Sequence, residues 1–566
     1  MPEYLAPGVY VEEVDRGPKP IEGVGTALPV FIGFTEKAEY SRMINRERVI
    51  EEVVFKPQLV TNWGQYQETF GSFVEGAYLP HAVYGYFMNG GTRCYVLSIK
   101  TIPKASAKLL GSDGKSELLN VQAKQAGFEG LKLRVRVESP ELKKGSTTNS
   151  SSTASTNAGE SSGEATPANN SASKAADNGT DSSFTLIIER KDRHDDWKPL
   201  ETVKDVTLVQ ELDKRSNEQQ VKIAYKNKKP PKFVELFLPE QKDLPAKPWP
   251  KDGQQQSLQI DKQVLLPAKF DEYQGDALER TGLLGLAAID NVTMVCAPDL
   301  MTPMPGEAEP DPKLIQSVQQ LMIDHCELMG DRVAILDSPP HKNPMEIKEW
   351  RQDDVAYDSS YAALYYPWVE IMDPVKNEPM LMPPSGHIAG VWARNDQTRG
   401  VHKAPANETI SGAIGLAYDV THGEQQELNP LGINCIRKFP AMGIRVWGAR
   451  TLTSDPAWRY INVRRLFNFV EKSIERGTQW VVFEPNDMML WARVRRDTTA
   501  FLTTVWSSGA LFGASPSDAF YVKCDEELNP VQIRDQGQLI IEIGMAPVKP
   551  AEFVIFRISQ WSPEYE

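Results

Sequence analysis

Cysteine is scarce in this chain. Cys94, Cys296, Cys326, Cys435 and Cys524 are scattered over 566 residues with no CxxC pair. That spacing speaks against a structural zinc site and a disulfide framework. It fits reduced thiols in a protein folded in cytosol. No run of 18 or more apolar residues exists, so neither a membrane span nor direct membrane insertion is expected. The start, Met1-Pro-Glu-Tyr4, lacks the basic and apolar regions of a signal peptide. Positive charge is in deficit, with 62 Lys and Arg against 76 Asp and Glu, a net charge of −14. That balance argues against nucleic acid as a partner. Phosphate cradles of the GxxxxGK[ST] or GxGxxG type are missing, as are HExxH and GxSxG. One SxxK match, Ser171-Ala-Ser-Lys174, lies in a low-complexity stretch where nothing fixes a nucleophile against its base. No enzyme activity, cofactor or metal is expected.

What is present reads as an interrupted α/β pattern. Residues 9–14 (Val9, Tyr10, Val11, Val14 among them) alternate as a short strand, followed by the stiff connector Gly17-Pro-Lys-Pro20. The backbone donors and acceptors of that strand need partners, in a distant part of the chain or in another molecule. Residues 28–34 and 93–100 read as buried strands around a helix over 76–91. Residues 105–262 then alternate apolar and polar in short runs, which predicts a β-rich insertion. Within it, 32 of the 38 residues from 146 to 183 are Ser, Thr, Ala, Asn or Gly. That stretch cannot offset its ordering entropy by burial and is expected to be a disordered loop joining two neighbouring strands. Its sequons, such as those at Asn149 and Asn178, follow from composition alone.

The α/β pattern resumes with strands over 292–298 and 332–337, a helix over 314–328, a strand region over 361–372 and a helix over 386–396. Asp455-Pro456 predicts a helix start, with Gly477 as its end. On that helix Val463, Leu466, Phe467, Val470 and Ile474 form one apolar face, and Arg465, Lys472 and Arg476 lie largely opposite. A second helix is expected from Asp487 to Ser508, with Leu490, Trp491, Phe501, Leu502 and Val505 on its apolar side and Arg493, Arg495 and Arg496 as a basic cluster. A last strand over 553–558 carries Phe553, Val554, Ile555 and Phe556. The fold class is therefore an α/β (α+β) core assembled from N- and C-terminal parts, with an inserted β-rich domain and extended terminal β-arms. Its boundaries fall at 1–25, 26–104, 105–262, 263–380, 381–545 and 546–566.

Two features invite chemistry. Asp299 and Asp337 follow strands where open sheets place ligands, and with His387, His402 or His422 they raise the alternative of a metal-dependent hydrolase. The bland reading is that they cap turns and helices. The basic stripes raise the alternative of an electrostatic dock for an acidic protein surface rather than a solvated face. A soluble module that recognises a cell surface through the insertion is a third reading.

Several segments resemble the contractile phage-tail sheath family. They are Leu5-Ala-Pro-Gly-Val-Tyr-Val-Glu-Glu13, Pro29-Val-Phe-Ile-Gly-Phe34, Pro383-Pro-Ser-Gly-His-Ile-Ala-Gly-Val-Trp-Ala-Arg394, Leu431-Gly-Ile-Asn-Cys-Ile-Arg437, Val446-Trp-Gly-Ala-Arg-Thr-Leu452, Tyr460-Ile-Asn-Val-Arg-Arg-Leu466, Trp480-Val-Val-Phe-Glu-Pro-Asn486 and Pro547-Val-Lys-Pro-Ala-Glu-Phe553. The resemblance covers roughly residues 1–100 and 278–566. It implies a structural subunit, assembled in the bacterial cytoplasm into a phage virion or phage-tail-like particle. It implies partners: itself, as stacked hexameric rings with interlaced arms, then an inner tube protein, and baseplate and terminal cap proteins. It further implies contraction that drives the tube through a target envelope. Val9, Tyr10, Val11, Val14 and Phe553, Val554, Ile555, Phe556 would then be inter-subunit arm strands. Arg493, Arg495 and Arg496, with Arg465, Lys472 and Arg476 as the second choice, would face the tube.

Overall fold

The computed structural model describes residues 20–44, 47–124, 128–138, 183–192, 196–212, 219–225, 229–239, 248–260, 268–303 and 307–557. The predicted N-terminal strand of residues 9–14, the SxxK match, the sequons of the Ser/Thr-rich stretch and all but the last residue of that stretch lie outside them. The chain divides into two units, one of residues 1–101 with 265–566 and one of residues 102–264.

The first unit is built on a nine-stranded sheet. Its order is Glu408–Thr409, Gly443–Val446, Ile433–Phe439, Ala362–Tyr366, Val333–Asp337, Met294–Cys296, Pro29–Thr35, Cys94–Thr101 and Gln58–Val60. The six inner strands, from Ile433–Phe439 to Cys94–Thr101, run parallel. Strands of a parallel sheet are covered on both faces and so read as unbroken apolar runs; Val333–Asp337 and Ala362–Tyr366 are buried along their whole length. The helices Leu79–Met88 and Ser385–Arg399 pack together over the sheet, joining Ala82, Val83, Tyr86, Ile388, Ala389 and Trp392 to one core with Phe31, Val96 and Ile335. The predicted helix over 314–328 is Pro312–Met329, capped by Asp311 and ended by Gly330 in the left-handed region.

Toward the C-terminus the helix predicted from Asp487 to Ser508 is Met488–Ser507, with the Asp487 carboxylate accepting the Leu490 N–H. The preceding helix is Ile461–Gly477, so its start, predicted with Asp455 as cap and Pro456 as first residue, is corrected by five residues. Asp455 instead closes a turn, its side chain accepting from Ala457 N at 2.8 Å. Leu466 and Val470 of the first helix meet Phe501, Leu502 and Val505 of the second in a separate core. Strands Phe520–Lys523 and Glu542–Met545 form an antiparallel pair beside them. Residues 551–557 form no strand with any described residue.

The second unit holds a five-stranded antiparallel sheet, ordered Gln219–Tyr225, Trp197–Leu212, Phe184–Lys191, Leu133–Glu138 and Gln255–Ser257. A three-stranded sheet of Val234–Phe237, Glu117–Ala123 and Ser106–Leu110 accompanies it. Alternate residues such as Val135, Val137, Leu186, Ile188 and Val121 share one core. The strands flanking the Ser/Thr-rich stretch pair directly, Val135 opposite Ile188.

Candidate functional site

Both ends of the described chain are tied to the helix Ile461–Gly477. On the N-terminal side, Ile21 is buried in the core that this helix forms with Met488–Ser507. The approach is close: a Cβ at Gly477 would fall 2.7 Å from the Ile21 side chain, so only glycine fits there. Val24 N donates to Ser473 Oγ at 3.1 Å. Thr26 Oγ1 donates to Asp396 at 2.6 Å, and Arg465 closes the group. The guanidinium donates to both Asp396 oxygens at 2.9 and 2.5 Å and to the Thr26 carbonyl at 3.0 Å. It also lies 4.6 Å from the Trp392 ring centre. Arg465 and Asp396 side chains are each 4% exposed. A two-pronged Arg–carboxylate pair at that depth fixes position as well as energy.

The C-terminal connector is tied to the same helix. Asn462 Nδ2 donates to the carbonyls of Val548 at 3.1 Å and His402 at 2.7 Å, and Val548 N donates to Ala510 O at 3.1 Å. Four residues on, Glu552 gathers Arg450 at 2.9 and 2.6 Å, Asn429 at 2.7 Å and Tyr460 at 3.0 Å. Burial pushes the Glu552 carboxyl up, but the hydrogen bonds from Arg450, Asn429 and Tyr460 and the Arg450 charge outweigh it and hold it below the usual range. Immediately beyond, Phe553, Val554, Ile555 and Phe556 are 69–83% exposed. Four consecutive large apolar side chains in water are unusual. A cavity of about 930 Å³ runs beside their root, lined in part by Lys403, Trp447, Tyr460, Pro550, Phe553 and Val554.

The six basic residues singled out from sequence fall into different surroundings. Arg465 is a core residue, which corrects its placement on a solvent-facing stripe: the helix buries a second side against Ser385–Arg399. Lys472 bonds Asp290 at 2.5 Å and lies near Asp331 and Glu475, and Arg476 pairs with Asp290 at 2.7 Å. These two staple the helix to the loops that precede Met294–Cys296 and Val333–Asp337. Arg493 stacks 3.9 Å from the Trp480 ring centre, and Arg495 donates to Cys524 O at 2.9 Å. Arg496 contacts only its neighbour Asp497 among the ion pairs of the described residues, and its side chain is 62% exposed.

Asp299 and Asp337 hold helix N-termini. Asp299 accepts N–H groups from Phe34 at 2.5 Å, from Leu79 at 3.1 Å and from Tyr78, at the start of Leu79–Met88. A Cβ at Gly33 would lie 2.2 Å from its Oδ2, which makes glycine obligatory there. Asp337 accepts Ser385 N at 2.8 Å, at the start of Ser385–Arg399. His387 is buried, and burial, then nearby His81, pushes its pKa down to about 4. No cluster of three or more His, Cys, Asp or Glu suited to a metal occurs among the described residues. All five cysteines are buried free thiols.

Burial pushes both carboxyls up to about 7 against the pull of those N–H donors. A raised folded-state pKa stabilises the protein fully below the unfolded value near 4, and that contribution is lost as pH rises through about 7. Wild type should therefore lose up to about 1.4 kcal/mol per pH unit for each group between pH 5 and 7. Urea unfolding at several pH values should show a flatter profile for Asp299→Asn. Parallel profiles would contradict the assignment.

The mixed α/β fold described is similar to that of solved sheaths of contractile injection machines. A chain of the anti-feeding prophage helical sheath in the contracted state matches with a TM-score of 0.53 and 23% identity, over 98% of this chain and 99% of that one. The contracted sheath complex of the extracellular contractile injection system PVC gives 0.52 at 22% identity, over 99% of each chain. In sequence, residues 285–452 match the phage tail sheath protein central domain and residues 453–560 the phage tail sheath C-terminal domain. Residues 285–560 thus match two consecutive domain models of the phage tail sheath family. The tail sheath protein of Vibrio phage KVP40 is 29% identical over 43% of this chain and 39% of its own length. A putative prophage major tail sheath protein of Pseudomonas aeruginosa is 27% identical over 50% of this chain and 71% of its own length. The matches to the Vibrio phage KVP40 and Salmonella phage ViI proteins thus span only 39% and 34% of those relatives.

Proposed function

We propose that this chain is a non-enzymatic structural subunit of a contractile sheath, a component of a phage tail or phage-tail-like particle. It polymerises as stacked six-membered rings around an inner tube, between a baseplate and a terminal cap, and assembles in the bacterial cytoplasm. The observation that carries the reading is the pair of moorings on Ile461–Gly477, with an apolar, strand-ready segment exposed directly beyond Glu552. Residues 553–556 and the N-terminal residues 9–14 then act as arms that add strands to neighbouring copies, which supplies directional backbone hydrogen bonds. The six-fold symmetrised baseplate of the anti-feeding prophage, whose chain matches at a TM-score of 0.53, supports rings of six. Asp299 and Asp337, which a hydrolase would need free, are taken up by helix N-termini. Tube contact is assigned to the Met488–Ser507 helix with Arg493, Arg495 and Arg496, because Arg465, Lys472 and Arg476 are each paired with a carboxylate elsewhere in the chain. Exposed ion pairs worth about 0–1 kcal/mol each suit a contact that must release when the sheath contracts.

Negative-stain electron microscopy of the full chain, and of a chain lacking residues 1–20, tests this. Hollow striated cylinders with six-fold end views are expected for the full chain and dispersed folded particles for the truncated one. Normal cylinders from the truncated chain would remove the arm assignment. Dispersed particles from both would remove the sheath reading.

A further inference from the structure

The N-terminal mooring is uneven along its length. Residues 20–28 form neither helix nor strand. Its outermost hold is Ile21, seated against Gly477. Next comes the hydrogen bond from Val24 N to Ser473 Oγ at 3.1 Å. The innermost hold is Thr26, whose hydroxyl donates to the Asp396 carboxylate and whose carbonyl accepts from Arg465. Leu28 N follows at once, donating to Thr293 Oγ1 at 2.9 Å. Between Ile21 and Thr26 few side chains are packed. Glu22, Gly23 and Gly25 are exposed, and the two glycines bring no side chain. The Gly23 backbone lies against the Phe469 ring, where a Cβ would come within 2.8 Å. A cavity of about 770 Å³ is lined by this stretch together with Phe469, Phe501 and Val505 of the two helices.

We propose that residues 21–25 are a strap that lifts as a unit, hinged at Thr26, while both helices and the nine-stranded sheet stay folded. Segments with few buried apolar contacts open locally at far lower free energy than the whole unit. The outer hold of this strap is one buried apolar side chain and a neutral hydrogen bond. The hinge is held by two hydrogen bonds to charged groups, each roughly twice as strong as a neutral one. Lifting therefore runs from Ile21 inward and stops at Thr26. It opens the cavity to water along one side. The chain ahead of the strap then pivots from Thr26 rather than from Ile21, which lengthens its reach by up to about 17 Å at full extension of residues 21–25. The lifting concerns a single chain, so it stands or falls independently of the sheath reading.

Ser473→Cys in the full chain tests this. Ser473 is fully buried and touches the strap through Val24, and cysteine replaces it with little change of shape. The probe is iodoacetamide, with labelling read by peptide mass spectrometry. The new thiol should react about a hundredfold faster than the buried Cys94 and Cys296 of the sheet. Its rate should not change in dilute urea, because local opening exposes little surface. Adding Gly477→Ala, which unseats Ile21, should speed labelling by a further factor of about ten. In the wild type, exchange of the Val24 amide should be equally insensitive to dilute urea, which frees the test from the substitution. Labelling that keeps pace with Cys94 at every urea concentration would overturn the strap. Val24 exchange that follows global unfolding would do the same. An unchanged rate in the Gly477→Ala background would overturn it as well, because Ile21 would then not be the outer hold.

Discussion

An Asp396→Ala subunit is expected to lose about 3–5 kcal/mol of stability, the usual cost of leaving one partner of a buried ion pair alone. The stranded group is the Arg465 guanidinium. Its side chain is 4% exposed and, among the described residues, keeps its hydrogen bond to the Thr26 carbonyl and its place on the Trp392 face. Neither neutralises a charge. Urea unfolding monitored by Trp fluorescence checks the magnitude. A loss below about 1 kcal/mol, typical of exposed pairs, would show that the pair is solvated in solution. The Arg465→Met, Asp396→Ala double variant should recover part of the loss, because no buried charge remains. In the single variant, amide exchange should also rise at residues 21–26, which Arg465 and Asp396 hold through Thr26.

Glu552→Gln should act locally and on assembly. The amide keeps one acceptor oxygen but turns a donor toward Arg450, which has only donors to offer. The charge-assisted pair at 2.6 and 2.9 Å is then lost, and hydrogen bonds to charged groups contribute about 1.5–3 kcal/mol. Exchange at residues 548–552 should quicken about ten- to a hundredfold, with little change in global unfolding. Cylinders should become fewer and shorter. Unchanged exchange would show that Asn462 and Ala510 hold the connector without Glu552. Because the Glu552 carboxyl is held below the usual range, its contribution is present above the unfolded pKa and lost only in acid, as pH falls through the depressed folded value.

The elements that sequence predicted best carry their own punctuation. Asp487 and Gly509 bracket Met488–Ser507, and Asp311 with Gly330 brackets Pro312–Met329. The inner strands were legible because parallel strands are apolar on both faces. The start of Ile461–Gly477 was misplaced because Asp455-Pro456 makes a helix-start signal but closes a turn instead. Arg465 was misplaced for a different reason. An angular projection assumes one buried face, whereas this helix is packed on two sides, and the second partner lies about 70 residues earlier in the chain. Asp396, Asn462 and Glu552 were missed because no periodicity reports a partner at that separation. One signal was available: Glu552 is the single acidic residue in the Pro547–Phe553 segment, in front of a wholly apolar run.

Asn462 and Arg465 stand one helical turn apart, about 4.5 Å along the axis. One grips the connector to the C-terminus and the other grips the connector from the N-terminus. A pull on either connector thus reaches the other through a single turn of helix, and the link from Glu552 through Arg450 to Asn434 also hands it to the strand Ile433–Phe439 of the nine-stranded sheet.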